Sequence, residues 1–131
     1  MNTKLNQILA EISAGELLDK ITILEIKKEK ISDSEKLKNI NKELSSLTKT
    51  SNEKIPDKNR IEGLISNLKK INLKLWNIEE NKRKAEKEKK FDAAFIQLSR
   101  DVYKSNDERA KIKLKINEIL GSNIKEVKSH Y

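Results

Sequence analysis

Few residues in this sequence could do chemistry unaided. His130 is the single histidine and stands beside the last residue, so a histidine relay or histidine metal site has no support. There is no cysteine, which removes thiolate nucleophiles, thiolate metal sites and disulfides. Gly15, Gly63 and Gly121 are isolated and make no phosphate-cradling loop. What remains is a ladder of charged and amide side chains. Glu16, Asp19, Lys20 and Glu25 come early in the chain, with Asn72, Trp76, Glu79, Glu80 and Arg83 in the middle. Arg100, Tyr103, Asn106, Asp107 and Arg109 come late. Brought together between helices, this ladder would form a pocket for an anionic ligand, phosphorylated or a sugar nucleotide. Mg²⁺ would then bridge Glu16/Asp19 and Glu79/Glu80 to phosphates; outside that case no metal and no cofactor are expected. The plainer use of the same residues is a set of interhelical ion pairs that fix register. Trp76, beside an apolar seam, reads first as core and second as a stacking platform. No residue is assigned a catalytic role, and whether the chain is an enzyme is left open.

Positioning such a ladder requires helices, and the pattern supplies them. Ser13 and Glu16 make a capping box ahead of Leu17, Ile21, Leu24 and Ile31, with Ile23 and Ile26 as a second stripe. Ser32 and Glu35 form another, before Leu37, Ile40, Leu44 and Leu47. That series fades into a polar stretch closed by Pro56, which predicts a loop over 50–57. Ile61, Leu64, Leu68, Ile71, Leu75 and Ile78 then follow a 3-4-3-4-3 spacing, the seam of a coiled-coil-like helix. Asp92 can cap a last helix with the seam Phe95, Leu98, Val102, Ser105, Arg109, Ile112, Ile116 and Ile119. Gly121 ends it, and Ser105 with Glu108 leaves a break near Asn106 open.

The expectation is an all-α fold of one domain over 1–131, with helices near 14–31, 33–49, 58–89 and 92–120 and a tail over 121–131. The last two helices should form a long antiparallel hairpin, with the first two packed along it. A turn near 90–91 makes facing residues sum to about 181, which sets Asn72 against Arg109 and Ile78 against Tyr103. Arg109, on an apolar seam, must then find a carboxylate or carbonyls nearby.

The 131 residues hold 25 Lys but only 4 Arg, with 13 Asn, 17 Ile, 3 Gly and 1 Pro. So few turn-formers argue against a β-sandwich or barrel. The bias toward residues with A/T-rich codons suggests that much of the +8 net charge is compositional. The densest patch, residues 82–90, has six cations and two glutamates. It is the basis of a nucleic-acid reading, but aromatic residues total only 4%, so base-stacking groups are few and nucleic acid is not the expected partner. No apolar run approaches the roughly 20 residues that span a bilayer, and residues 1–14 lack a signal-peptide core. A cytoplasmic protein without membrane contact is expected.

Several segments form a recognisable set. They are Gly15-Glu16-Leu17-Leu18-Asp19-Lys20-Ile21-Thr22-Ile23-Leu24-Glu25-Ile26-Lys27, then Leu75-Trp76-Asn77-Ile78-Glu79-Glu80 with Arg83 and Glu86. Phe91-Asp92-Ala93-Ala94-Phe95-Ile96 follows, then Arg100, Val102-Tyr103, Asn106-Asp107, Arg109-Ala110, Lys113 and Ile116-Asn117. Gly121-Ser122, Glu126 and Lys128-Ser129 complete the set, which together resembles a family of short bacterial and phage helical proteins of unknown function. Glu80 stands where the family more often has Asp, and Glu11-Ile12-Ser13-Ala14 replaces an extended Val-x-Val-Ser-aromatic lead-in. The resemblance implies a small helical protein sometimes found beside sugar-transfer genes, with no activity to carry over. Because many of the matching positions are charged, it implies a binding surface more than an enzyme.

The leading expectation for function is therefore a helical interaction or accessory module that assists a protein partner or a surface-polysaccharide or sugar-transfer pathway. A ligand-binding protein or small enzyme using the Glu/Asp/Arg cluster is the alternative, and nucleic-acid binding through 82–90 the second. A homodimer is expected, because Phe91, Phe95, Ile96 and Leu98 face a stretch of lysines that covers them only in part.

Overall fold

The computed structural model describes residues 4–128 and contains four helices: α1 Ala14–Lys30, α2 Ser34–Lys54, α3 Glu62–Glu88 and α4 Ala93–Leu120. A single 3₁₀ turn, Asn59–Ile61, leads into α3, and no strand occurs among the described residues. The all-α fold expected from periodicity is the fold observed.

Each helix starts and stops for a local reason. Ser13 is extended, and its Oγ accepts from the Glu16 N–H at 3.1 Å, while its carbonyl accepts from the Leu17 N–H. Only half of the expected capping box forms, because the Glu16 carboxylate turns to Lys113 instead of back to Ser13. At α2 the cap is Asp33, not Ser32: its carboxylate accepts from the Lys36 N–H at 2.9 Å. The expected end of α2 near residue 49 is also corrected, since the helix runs on to Lys54. Polar side chains in its last turns do not break it; Pro56 does, by pushing Ile55 out of helical geometry. The Lys58 ammonium then donates to the Ile55 carbonyl at 2.7 Å and to the Ser51 carbonyl at 3.4 Å, the latter already accepting the Ile55 N–H.

Between α3 and α4 the chain reverses through Lys89, which takes the left-handed conformation with φ 54°. Asp92 caps α4 by accepting from the Phe95 N–H, and Gly121 closes it at φ 64°, where a side chain would be strained. α4 is continuous, so Ser105 and Glu108 do not form a cap there. α3 and α4 pack on one another, α1 lies against both, and α2 packs against α1. The core holds Leu17 and Leu18 of α1, Ile61 of the 3₁₀ turn, Leu68 and Ile71 of α3, and Ile116 of α4, joined by Ile55 and flanked by Leu47. Tyr103, expected opposite Ile78, is instead exposed, while Ile78 is buried. α4 turns Val102 and Ser105 inward at that level, Ser105 buried and Val102 half-buried.

Candidate functional site

Asp19 is the point where three helices meet. Its carboxylate is fully buried and takes the guanidinium of Arg109, from α4, in a two-point pair: Nε to Oδ1 at 2.9 Å, and Nη2 to Oδ2. From α3, the Asn72 amide donates to Asp19 Oδ1 and to Thr22 Oγ1, both at 2.9 Å. Thr22 in turn donates to the Asp19 carbonyl at 2.8 Å. Asn72 and Arg109, which the hairpin register sets face to face, thus share one acceptor. Arg109 is held more strongly protonated than usual, chiefly by the Asp19 hydrogen bonds; partial burial works against this, and the charges of Asp19 and Glu16 reinforce it.

One turn further along, α4 presents Lys113 to the start of α1. Its ammonium donates to Glu16 Oε2 at 2.5 Å and lies 3.9 Å from both Asp19 Oδ2 and Glu126 Oε1. A third level comes from Asn117, whose Oδ1 accepts from the Gly15 N–H at 2.6 Å and whose Nδ2 donates to Glu126 Oε2 at 3.0 Å. Ser13 donates to the other oxygen of Glu126 at 2.6 Å, so the tail is stitched to the first turn of α1. This close approach needs a glycine. A Cβ on Gly15 would sit 2.5 Å from the Lys113 carbonyl and 2.9 Å from Asn117 Oδ1.

The residues of the ladder therefore divide. Glu16, Asp19 and Arg109 converge, with Asn106 at the edge, where its Oδ1 lies 3.5 Å from Arg109 Nη1. Lys20 is a surface neighbour, 3.8 Å from Glu16. Asp107 pairs with Lys128 of the tail at 3.2 Å. Glu79 pairs with Arg83 at 3.0 Å along the exposed face of α3, where Glu80 is also exposed. Arg100 and Tyr103 are exposed on α4 and take no part in the buried network. Among the described residues no three carboxylates or imidazoles come together in a way that could hold a metal ion.

Thr22, Lys113, Asn117, Glu126 and Ser13 were not singled out as site residues. Spacing held part of the signal, because Arg109, Lys113 and Asn117 recur every four residues, as one polar stripe on α4 beside its apolar seam. Two grooves flank Arg109. One, of about 320 Å³, lies between α4 and the tail beside Lys113, Glu126 and Lys128. The other, of about 310 Å³, lies between α1, α3 and α4; Trp76, Asn72, Asn106 and Glu79 line it with Ile23, Ile26, Leu75 and Val102.

A family model described as a family of unknown function (DUF6165) matches residues 8–131, and the chain belongs to that family. No curated protein and no solved structure matches it.

Proposed function

We propose that the chain is a helical interaction module rather than an enzyme, and that its contact surface is the tip of the α3–α4 hairpin. The observation that carries this reading is the exposure of large apolar side chains there. Phe91 is 54% exposed and Ile96 59%, and the Phe91 and Phe95 rings meet in a T-shaped contact. The groups that chemistry would need are spent on one another: Asp19 on Arg109, Glu16 on Lys113, Glu126 on Ser13 and Asn117. A carboxylate tied into a two-point ion pair is a poor general base.

The partner in this reading is a second copy of the chain. An isologous contact covers the same apolar patch on both copies, and it offers Asp101 of one α4 and its cap Asp92 to the cationic end of the other α3. Light scattering at micromolar concentration tests it. A mass twice the 15.2 kDa of the chain, falling to one chain in Phe95→Glu, is the expected result. A single-chain mass unchanged by that substitution rejects it. A cytoplasmic location and service to a surface-polysaccharide or sugar-transfer pathway belong to the same reading; the pathway rests on the resemblance alone. The second reading, nucleic-acid binding, draws support from the exposure of most of residues 82–90, and oligonucleotide binding that survives physiological salt would favour it.

A further inference from the structure

We infer that the cleft between α1, α3 and α4 is a binding site for a planar, uncharged heteroaromatic ring of the nucleobase type, stacked on Trp76 and read at its edge by Asn72 and Asn106. The inference stands apart from the hairpin-tip contact and uses none of its residues.

Three features carry it. The first is unused hydrogen-bonding capacity of both signs. The Asn72 amide donates through Nδ2 to Asp19 and Thr22, while its Oδ1 reaches the accessible surface and accepts no hydrogen bond among the described residues. Asn106 accepts weakly from Arg109, and its Nδ2 donates to nothing among the described residues. Both amides line the cleft, so it offers an acceptor and a donor held on separate helices. A nucleobase edge carries the complementary pair, which is why carboxamides recur in base recognition. The Asn72 acceptor is also preset, because two hydrogen bonds fix its amide plane.

The second feature is the wall. Trp76 is half-buried, and Ile23, Ile26, Leu75 and Val102 supply aliphatic surface around it. Flat aromatic faces are satisfied by an indole and branched aliphatics. A sugar ring, with hydroxyls around its whole rim, would leave several of them unpaired against such walls.

The third feature is charge. Arg109 is matched by Asp19, and Glu79 by Arg83, so the cleft presents no unanswered cation to a phosphate. A neutral base or nucleoside fits it better than a nucleotide. At about 310 Å³ the cleft takes one such ring system and little more.

Trp76 is the chain's single tryptophan, so its fluorescence reports on this cleft alone. Full-length protein is titrated with adenosine, guanosine, cytidine and uridine in turn, and with AMP, D-glucose and inorganic phosphate. The expected result is saturable quenching by at least one nucleoside, weakened tenfold or more in Asn106→Ala, a variant checked for unchanged helix content. Phe95→Glu, at the hairpin tip, should bind the nucleoside as the parent does, which keeps this test separate from that of the dimer. Quenching by every nucleoside that never saturates, or that Asn106→Ala leaves unchanged, overturns the inference. So does saturation by glucose or phosphate in place of a nucleoside, or AMP binding tenfold or more tightly than adenosine.

Discussion

Asp19 and Arg109 stand ninety residues apart in the chain and meet in a two-point ion pair whose acid is fully buried and whose base is 28% exposed. The pair closes a triangle of helices, because Asn72 of α3 donates to the same carboxylate.

Asp19→Ala is expected to cost about 3–5 kcal/mol, as removal of one partner of a buried pair does, since it strands Arg109 and Asn72 together. Urea denaturation followed by circular dichroism measures it. Asp19→Leu combined with Arg109→Met should recover much of the loss of Asp19→Leu alone, because neither charge is then left without its partner. A loss below about 1 kcal/mol in Asp19→Ala would mean that the pair behaves like a solvated surface contact.

Two glycines should respond in opposite directions to alanine. Gly15→Ala drives a methyl group into the Lys113 carbonyl, which is backbone and cannot yield without moving α4. The expected cost is about 1–3 kcal/mol, outweighing alanine's better helix propensity. Gly63, in the first turn of α3, has nothing within 4 Å of the same atom, so Gly63→Ala should gain about 0.5 kcal/mol. Thermal midpoints decide both, and a stabilised Gly15→Ala would show that the α1–α4 approach is looser than described.

Acid should loosen the tail. The Glu126 carboxyl titrates below the ordinary glutamate range: burial pushes it up, but hydrogen bonds from Ser13, its own backbone and Asn117, helped by the Lys113 charge, outweigh that. A group with a lower pKa folded than unfolded contributes stability above its unfolded value, lost as pH falls through the folded one. Glu126→Gln should therefore be less stable than the parent at pH 7, and the gap should narrow as the carboxyl protonates. Midpoints recorded from pH 7 to pH 3 test this; a gap constant across that range would remove Glu126 from the acid response.

Ser105 is fully buried, and its Oγ is the one buried side-chain oxygen or nitrogen among the described residues without a hydrogen-bond partner. Ser105→Ala removes an unsatisfied hydroxyl and should be neutral or stabilising by up to about 1 kcal/mol. Destabilisation beyond about 1 kcal/mol in the same denaturation assay would reveal a bond the hydroxyl makes.

The helices were legible in the sequence because the information that builds them is local. Apolar residues at three- and four-residue spacing mark the buried face, so the seams of α3 and α4 could be read directly. The caps at Ser13 and Asp92 and the left-handed end at Gly121 sit where side-chain chemistry places them. Counting outward from the hairpin turn put Asn72 and Arg109 at one level, where both reach Asp19, but the same count set Tyr103 against Ile78, and Tyr103 is exposed. What only the tertiary structure decided is which charge answers which. Asp19 belongs with Arg109 and not Lys20, and Glu16 serves Lys113 and not its own cap, because α1 lies in the hairpin at a rotation set by the Gly15 approach and the packing of Leu17 and Leu18. The tail was equally hidden: Glu126 reaches Ser13 across 113 positions by a path that no periodicity encodes. A hydrophobic stripe states that a face is buried, whereas long-range ion pairs depend on the crossing and rotation of whole helices, which many weak contacts determine together.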